Sequence, residues 1–407
     1  MSTPYIPASR IERLQMPERI ATEGKSLRDL ERELDNAPLG GEFLDITYAD
    51  THRFPPPEYA IKAFTAAATG GGMTYTPYRG DAGVRRAITP NLSKFLGIDI
   101  DADADVILTP GSQAGLYTAL AAILEPGDKV IIPDPDYITS ERSVRYFDSE
   151  YVSVPLIWEP GEAPHLDLVV LKKAVEDGAK LLMFSNPNNP NGAVFEPAHI
   201  AEIANIVRDS DTLVIIDELY SRLIYDGAPF GHLIAEFGMQ ERTITTLGPS
   251  KTESLSGYRL GVAVAPPEIV RRMEDVMGIA ALRAPAYAQH VLTHWLADDE
   301  EYVAARIGEY QALRDVTVEA FGTMPGVGVR PSGGSAYLFP DFSGLDASDQ
   351  EVAIALKSKA GLIVNPGYQF GARGRYHFRL CFAQDEQVWD RALQRMGVVL
   401  AEFPQRS

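Results

Sequence analysis

The middle of the chain alternates short apolar runs with longer segments whose apolar residues recur at helical spacing. The apolar runs predict strands at 106–108, 130–132, 181–184, 213–216, 244–247 and 261–265. Helical segments such as 114–124 separate them, so the pattern predicts βαβ units and a mostly parallel sheet that is buried on both faces. We therefore predict an α/β fold whose large domain has three layers, α/β/α.

The pattern changes after about residue 281, where longer and more polar helices take over. They are predicted at 299–321, 349–359 and 386–403, with short strands among them at 334–339 and 376–382. Near the start of the chain, leucines at helical spacing predict a surface helix at 26–34. A short strand is expected at 45–48, and glycines 70–72 should end the helix before them. We predict a large domain at 46–285 and a smaller α+β domain formed by 1–45 and 286–407.

Composition and charge narrow the functional classes. The 407 residues include 37 Lys and Arg against 56 Asp and Glu, a net charge of −19, and 45% of them are hydrophobic. This is a globular composition, and its acidity disfavours binding to nucleic acid or to an anionic membrane. No run approaches the roughly 18 apolar residues of a membrane helix, and residues 1–10 do not resemble a signal peptide. The single cysteine, Cys381, excludes an internal disulfide and a Cys-based zinc cluster. We expect a cytoplasmic protein without a metal site.

Polar residues cluster where the predicted strands end. Asp217 directly follows four apolar residues, and Lys251 closes the segment after the next strand. In a parallel sheet, ligands bind at the carboxyl ends of the strands. A carboxylate at the end of a buried strand is costly unless it is paired. Taken alone, however, Asp217 could cap a helix or join a structural ion pair, and a lysine is usually a solvated surface residue.

The order of the motifs is more specific than any one of them. They read GSQ (111–113), Y (137), NPNNPNG (186–192), DELY (217–220), SK (250–251), SGYRLG (256–261) and FRL (378–380). This series, spanning about 26–403, resembles the fold-type-I pyridoxal-phosphate enzymes of the class I/II, aspartate aminotransferase-like family. The resemblance implies a pyridoxal 5′-phosphate cofactor, a homodimer, and transfer of an amino group between an L-amino acid and a 2-oxo acid.

The resemblance also assigns three residues to catalysis. Lys251 would hold the cofactor aldehyde as a Schiff base and then move the proton from the substrate Cα. Asp217 would pair with the protonated pyridine nitrogen and so keep the ring electron-withdrawing. Tyr137 would stack on the ring, although in isolation it could equally anchor a turn.

Other residues would bind the phosphate, the ring oxygen or the substrate. For the phosphate the resemblance implies the helix N-terminus at Gly111, Ser112 and Gln113, whose backbone N–H groups and Ser112 hydroxyl would donate, completed by Ser250 and Arg259. Tyr220 and Asn189 would contact the ring oxygen, and Tyr75 would reach the phosphate of the other subunit. Arg379 would bind the substrate α-carboxylate as a bidentate pair, with Asn189 beside it.

Some positions depart from the family pattern. Gly248 stands where a Ser or Thr often contributes a phosphate hydroxyl, which Thr246 could replace, and Asn191 stands where Thr is usual. Asp50 and His52 occur where the family covers the substrate. They are either lid or interface residues, or they act on a polar or cationic substrate side chain.

Three functional readings therefore compete. The first is the aminotransferase. The second is a pyridoxal-phosphate oxidase, cyclase or lyase acting on an amino acid with a polar or cationic side chain. The third, a non-enzymatic sensor, is disfavoured because the lysine is kept and no basic helix-turn-helix segment precedes the domain. The sequence leaves open whether Arg53 or Arg283 binds a second substrate carboxylate.

Overall fold

The structure is a computed structural model that describes residues 8–14, 25–71, 75–159, 161–297 and 299–406. Its strands are Leu44–Asp45 (β1), Val106–Thr109 (β2), Lys129–Asp134 (β3), Glu150–Ile157 (β4), His165–Leu166 (β5), Leu181–Ser185 (β6), Leu213–Asp217 (β7), Thr243–Leu247 (β8), Gly261–Val264 (β9), Tyr337–Leu338 (β10), Leu362–Ile363 (β11), Asn365–Pro366 (β12) and Phe378–Cys381 (β13). Its α-helices are Ser9–Arg13 (α1), Leu27–Asn36 (α2), Glu58–Thr69 (α3), Ala82–Leu96 (α4), Ser112–Ile123 (α5), Ser140–Tyr146 (α6), Leu168–Glu176 (α7), Pro197–Arg208 (α8), Pro267–Ala280 (α9), Ala286–Gln289 (α10), Glu300–Phe321 (α11), Asp349–Ala355 (α12) and Glu386–Leu400 (α13).

The largest sheet has eight strands in the order β2-β9-β8-β7-β6-β3-β4-β5. The neighbours from β8 to β4 are parallel, whereas β9 runs antiparallel to both β2 and β8. β2, β6 and β8 are buried along their whole length, because helices cover both faces of the sheet. The predicted α/β class with a mostly parallel sheet is confirmed.

The rest of the chain carries two small sheets. β1 pairs in parallel with β11, and β13 lies between β10 and β12 in an antiparallel sheet. The N-terminal segment thus joins the C-terminal part, as the predicted small domain requires. The boundary at 285/286 stays a proposal. Val291, Leu292 and Trp295 pack in the same cluster as Val262 of the large sheet, which favours a boundary some residues later.

Several predicted elements are shorter in the structure. Strand 45–48 is reduced to Leu44–Asp45, and strand 334–339 to Tyr337–Leu338, because each finds a pairing partner over two residues only. The helix at 349–359 changes to a π-helical segment at Leu356–Ala360. Gly70 ends α3 as predicted, while Gly72 lies outside the described residues.

In the described ranges, no helix is both long enough and apolar enough to cross a membrane. The same ranges contain no group of three His, Cys, Asp or Glu side chains that could hold a metal ion.

Candidate active site

The carboxyl ends of the parallel strands and the amino end of β9 meet at one edge of the large sheet, around a cavity of about 280 Å³. Loops after β2, β3, β6, β7 and β8 line it, and β13 closes it from the other side. The predicted residues that line this cavity are Ser112, Gln113, Tyr137, Asn189, Asp217, Tyr220, Ser250, Lys251, Arg259 and Arg379. The structure thus brings together side chains that are up to 267 positions apart, from Ser112 to Arg379 (379 − 112).

One end of the cavity is built for an anion. Gly111 has φ +82° at the start of α5, and a Cβ there would lie 2.4 Å from an Arg259 guanidinium nitrogen. A Cβ on Gly261 would lie 2.5 Å from the backbone nitrogen of Ser112. The two glycines let the guanidinium and the N–H groups of the first helical turn approach one another closely. A cation beside a helix N-terminus is a suitable site for a phosphate group.

Asp217 occupies the floor of the cavity. Its carboxylate accepts hydrogen bonds from Leu219 N (3.1 Å) and Thr246 Oγ1 (3.3 Å). In the part of the chain that the structure describes, Asp217 forms no ion pair with a Lys or Arg within 4 Å. Burial raises the pKa of Asp217 to about 6, against the opposing effects of these hydrogen bonds and the Lys251 charge. A buried carboxylate of this kind fits the protonated nitrogen of a pyridine ring. The Thr246 hydroxyl therefore donates to Asp217 and does not supply the phosphate contact that the family often draws from the side chain at position 248.

Lys251 lies in the loop that follows β8 and is half-buried. Its side chain lines the same cavity as Asp217. Unlike the ion-paired surface lysines, its ammonium group makes no hydrogen bond to another described residue. The amine is therefore free to react with a carbonyl group placed between these two side chains.

Arg379 lies in β13 and is 7% exposed. It donates to Asn189 Oδ1 (2.8 Å), Asn365 Oδ1 (2.6 Å) and the carbonyl oxygen of Thr47 (3.1 Å). Its guanidinium carbon lies 4.0 Å from the centre of the Tyr337 ring. All these partners are neutral, and its Nε has no partner among the described residues. The buried positive charge is therefore uncompensated, which suits a site for a ligand carboxylate.

Tyr337 is a lining residue that the sequence pattern did not reveal. Its ring contacts Tyr220 edge to face, with 5.6 Å between the ring centres. Burial opposes ionisation of Tyr337, but the charges of Arg379 and Lys251 lower its pKa. Burial keeps the pKa of Tyr220 well above its usual range. A tyrosine in a short apolar strand gives no sequence signal of such a role, since packing alone explains it.

Asp50 and His52 do not line the cavity. Asp50 Oδ1 accepts hydrogen bonds from the backbone nitrogens of His52 (2.8 Å) and Arg53 (3.2 Å), so the carboxylate caps its own turn. The His52 side chain is exposed. The structure therefore does not support a contact of these two residues with the substrate and leaves the lid or interface reading.

The remaining predicted residues lie at the surface. Tyr75 is 84% exposed and outside the cavity, with the Arg283 guanidinium 4.4 Å from its ring centre. Arg53 forms ion pairs with Glu386 (2.5 Å) and Glu309 (3.2 Å). Neither Arg53 nor Arg283 therefore offers a second cation to the cavity of the same chain.

A free lysine amine, a buried carboxylate and a phosphate-type anion site, arranged around the carboxyl edge of an α/β sheet, define a pyridoxal-phosphate enzyme of fold type I. Residues 45–396 match the model of the family described as aminotransferase class I and II. The chain belongs to this family.

Known relatives agree with this assignment. The chain is 30% identical to an aspartate aminotransferase of Pyrococcus horikoshii over 85% of this chain and 88% of that protein. It is also 30% identical to aromatic-amino-acid aminotransferase 2 of Thermococcus litoralis, over 86% of this chain and 90% of that protein. A crystal structure of an aspartate aminotransferase from Rhodobacter sphaeroides superposes with a TM-score of 0.86 at 37% identity, covering 93% of this chain and all of the other.

The protein is a pyridoxal-phosphate-dependent aminotransferase. When bound, the cofactor supplies an electron-withdrawing ring that stabilises the negative charge left when the substrate Cα loses its proton. The residues of the cavity fit this group, because the anion site, the carboxylate floor and the free amine match its phosphate, ring nitrogen and aldehyde.

Proposed function

We propose that the enzyme binds the α-carboxylate of an L-amino acid at Arg379 and passes the amino group to a 2-oxo acid. The observation that carries this assignment is the uncompensated charge of Arg379 in the same cavity as the free amine of Lys251. Relatives are named for aspartate and for aromatic amino acids, so we take these as the first candidate donors.

The roles of the side chains follow from their positions. Lys251 takes the proton from the substrate Cα and would deliver it to the former aldehyde carbon of the bound cofactor, because its amine is the one basic group without a partner in the described lining. Asp217 holds the positive charge of the ring nitrogen. Arg259 and the first turn of α5 bind the phosphate. Asn189 holds the guanidinium of Arg379 at 2.8 Å, which orients it toward the substrate.

The proposal is tested by absorbance of the purified holoenzyme with single amino acids. An accepted donor, with no 2-oxo acid present, should convert the visible cofactor band to the near-ultraviolet band of the amine form within one turnover. Adding 2-oxoglutarate should then restore the band and give steady product formation with ping-pong kinetics. Steady turnover without an acceptor, or formation of peroxide, would instead support the oxidase, cyclase or lyase reading.

A variant in the same assay tests the role of Arg379. Arg379→Leu should raise KM for the amino acid by about 10²-fold or more, since it removes one partner of a buried charge pair, and leave the cofactor spectrum intact. Arg86→Leu is the control, because Arg86 is a largely exposed surface residue that pairs with Asp103. An unchanged KM in Arg379→Leu would contradict the assignment.

We also propose that the enzyme is a homodimer. Tyr75, Tyr78, Ile279 and Leu282 are large hydrophobic residues at 84%, 41%, 89% and 46% exposure, and Arg283 lies over both tyrosine rings. An exposed cluster of this kind is typical of an interaction surface. Its occupation by a second copy would carry Tyr75 toward the phosphate site of that copy, as in the family pattern.

Light scattering should then give twice the chain mass of 44.5 kDa. Tyr75→Phe should keep that mass and weaken cofactor affinity about tenfold, because one hydrogen bond to a charged group is lost. Tyr78→Phe is the matched control on the same surface. A monomeric mass, or equal cofactor affinity in both variants, would contradict the composite site.

A cytoplasmic location is part of the proposal. It is supported by Cys381, the single cysteine, which is buried and unpaired. Recovery of the protein from a membrane or extracellular fraction would contradict it.

A further inference from the structure

Asp136 is a buried carboxylate that the proposed reaction does not use. It directly precedes Tyr137, and the residue is 3% exposed. One carboxylate oxygen accepts from Tyr137 N (2.7 Å) and, at 3.5 Å, from Ser140 Oγ. The other accepts from Ser185 N (3.2 Å), Ser185 Oγ (3.1 Å) and Asn188 Nδ2 (3.0 Å).

These donors come from two loops that carry residues of the cavity. Tyr137 and Ser140 belong to the chain after β3, whereas Ser185 and Asn188 lie at and after the end of β6. Ser185 Oγ also accepts from the backbone nitrogen of Asn189 at 3.1 Å. A continuous path of hydrogen bonds therefore runs from Asn189 through Ser185 to Asp136.

The path ends at the groups that contact cofactor and substrate. At one end, Asn189 Oδ1 accepts from Arg379 at 2.8 Å. At the other end, Tyr137, whose backbone nitrogen donates to Asp136, lines the cavity. A single buried carboxyl group thus fixes the position of the stacking aromatic residue and of the pair that binds the substrate carboxylate. An Asn side chain could not replace the carboxylate of Asp136, because its NH₂ group would face either the donors of the loop after β3 or those of the loop after β6.

This arrangement is electrostatically costly. Over the described ranges, no Lys or Arg forms an ion pair with Asp136. Burial raises the pKa of Asp136 to about 7, opposed by the hydrogen bonds from Tyr137 and Ser185, and the nearby charge of Asp217 raises it further. A residue needed only for packing would not require a charge at this position.

We propose that Asp136 is a positioning residue of the transamination reaction, which sets Tyr137 and Asn189 at the cofactor ring through its five hydrogen bonds. This inference rests on the roles given above to Tyr137, Asn189 and Arg379. It assigns no proton transfer to Asp136.

The chain provides a matched control two residues earlier. Asp134 is equally buried, at 3% exposure, and lies in the same Pro-Asp-Pro-Asp segment. Its carboxylate accepts from the backbone nitrogens of Ala372 and Arg373, both at 3.1 Å, and so ties this loop to the C-terminal part. Asp134 does not line the cavity. Its substitution reports the loss of a buried carboxylate without a change at the cofactor.

The test compares Asp136→Asn with Asp134→Asn as holoenzymes. The readouts are visible circular dichroism of the bound cofactor, which reports ring orientation, the pH at which the cofactor band titrates, and the separate kcat and KM values. Asp136→Asn should alter the dichroism and the titration and raise KM about tenfold or more, the range expected for unsatisfied buried donors. Asp134→Asn should lower the melting temperature alone.

A second variant covers the case in which Asp136→Asn does not fold. Ser185→Ala removes the link between Asp136 and Asn189 and should move the same cofactor readouts in the same direction. If the Asp136 and Ser185 variants kept the wild-type dichroism, titration and KM, and lost only stability, Asp136 would be a structural residue and the inference would be wrong. Failure of wild type to form any 2-oxo acid would instead contradict the proposed function.

Discussion

Lys251→Ala should lower kcat by at least roughly 10⁴-fold, because the variant loses both the group that holds the cofactor covalently and the base that moves the proton. The amine of Lys251 is free in the cavity. The remaining contacts of the anion site and of Asp217 should still bind the cofactor noncovalently. Single-turnover kinetics measures the loss. Borohydride reduction followed by mass spectrometry measures the covalent link, which should be absent in the variant.

The matched control is Lys172→Ala, which removes a largely exposed lysine of α7. It should leave turnover and the borohydride adduct unchanged. A cofactor–protein adduct of full yield in Lys251→Ala would show that another amine carries the cofactor, and the assignment of the site would then be wrong.

Asp217→Asn should lower kcat by roughly 10²–10⁴-fold, because removing one partner of a buried charge pair costs about 3–5 kcal/mol. The carboxylate lies at the end of β7 and is held by Leu219 N and Thr246 Oγ1. An amide of the same shape keeps the packing and cannot balance the charge on the ring nitrogen. Steady-state kinetics with a saturating donor measures the effect.

Although Asp217→Asn should lower kcat, it should raise the free energy of unfolding of the cofactor-free protein at pH 8. The pKa of Asp217 in the folded chain is about 6, above its ordinary value of 3.8. Its contribution to stability is therefore fully present below about pH 4 and is lost as the pH rises through 6. Cofactor-free Asp217→Asn should be more stable than wild type at pH 8, by about 3 kcal/mol at most, and equal to it near pH 4.

Urea unfolding of the cofactor-free proteins at the two pH values tests this expectation. Asp209→Asn serves as the control, since Asp209 is an exposed residue at the end of α8. Equal stabilities of wild type and Asp217→Asn at pH 8 would mean that Asp217 already has a cationic partner in the fold. A loss of activity together with a gain of stability is the result expected for a carboxylate kept for function.

Much of the site was predictable because it depends on where strands end. Asp217 follows directly on an apolar run, Lys251 closes the short loop after the next strand, and the ends of parallel strands meet at one edge whatever the details of packing. The glycine and serine at 111 and 112 likewise mark the start of a helix after a strand. Such signals are local, and the structure places all of these residues at the predicted edge.

The residues that sequence reasoning missed act through contacts between distant parts of the chain. Tyr337, Asn365 and Thr47 surround Arg379, but nothing in their own neighbourhoods distinguishes them from packing residues. Asp50 is the reverse case. Its position beside the expected substrate loop left open either a contact with substrate or a role in a lid or interface, and in the structure its carboxylate accepts from two backbone N–H groups of its own turn. Local hydrogen bonding decided its role.

The positions of the central strands along the chain and the polar residues at their ends were determined by the sequence itself, since burial on both faces enforces continuous apolar runs and places polar residues where these runs stop. The tertiary structure alone decided which side chains share the cavity. Arg379 and Asn189 meet across 190 positions, and the buried carboxylate of Asp136 gathers donors from two separate loops. Side-chain direction and long-range packing set these contacts, and neither leaves a periodic trace in the sequence.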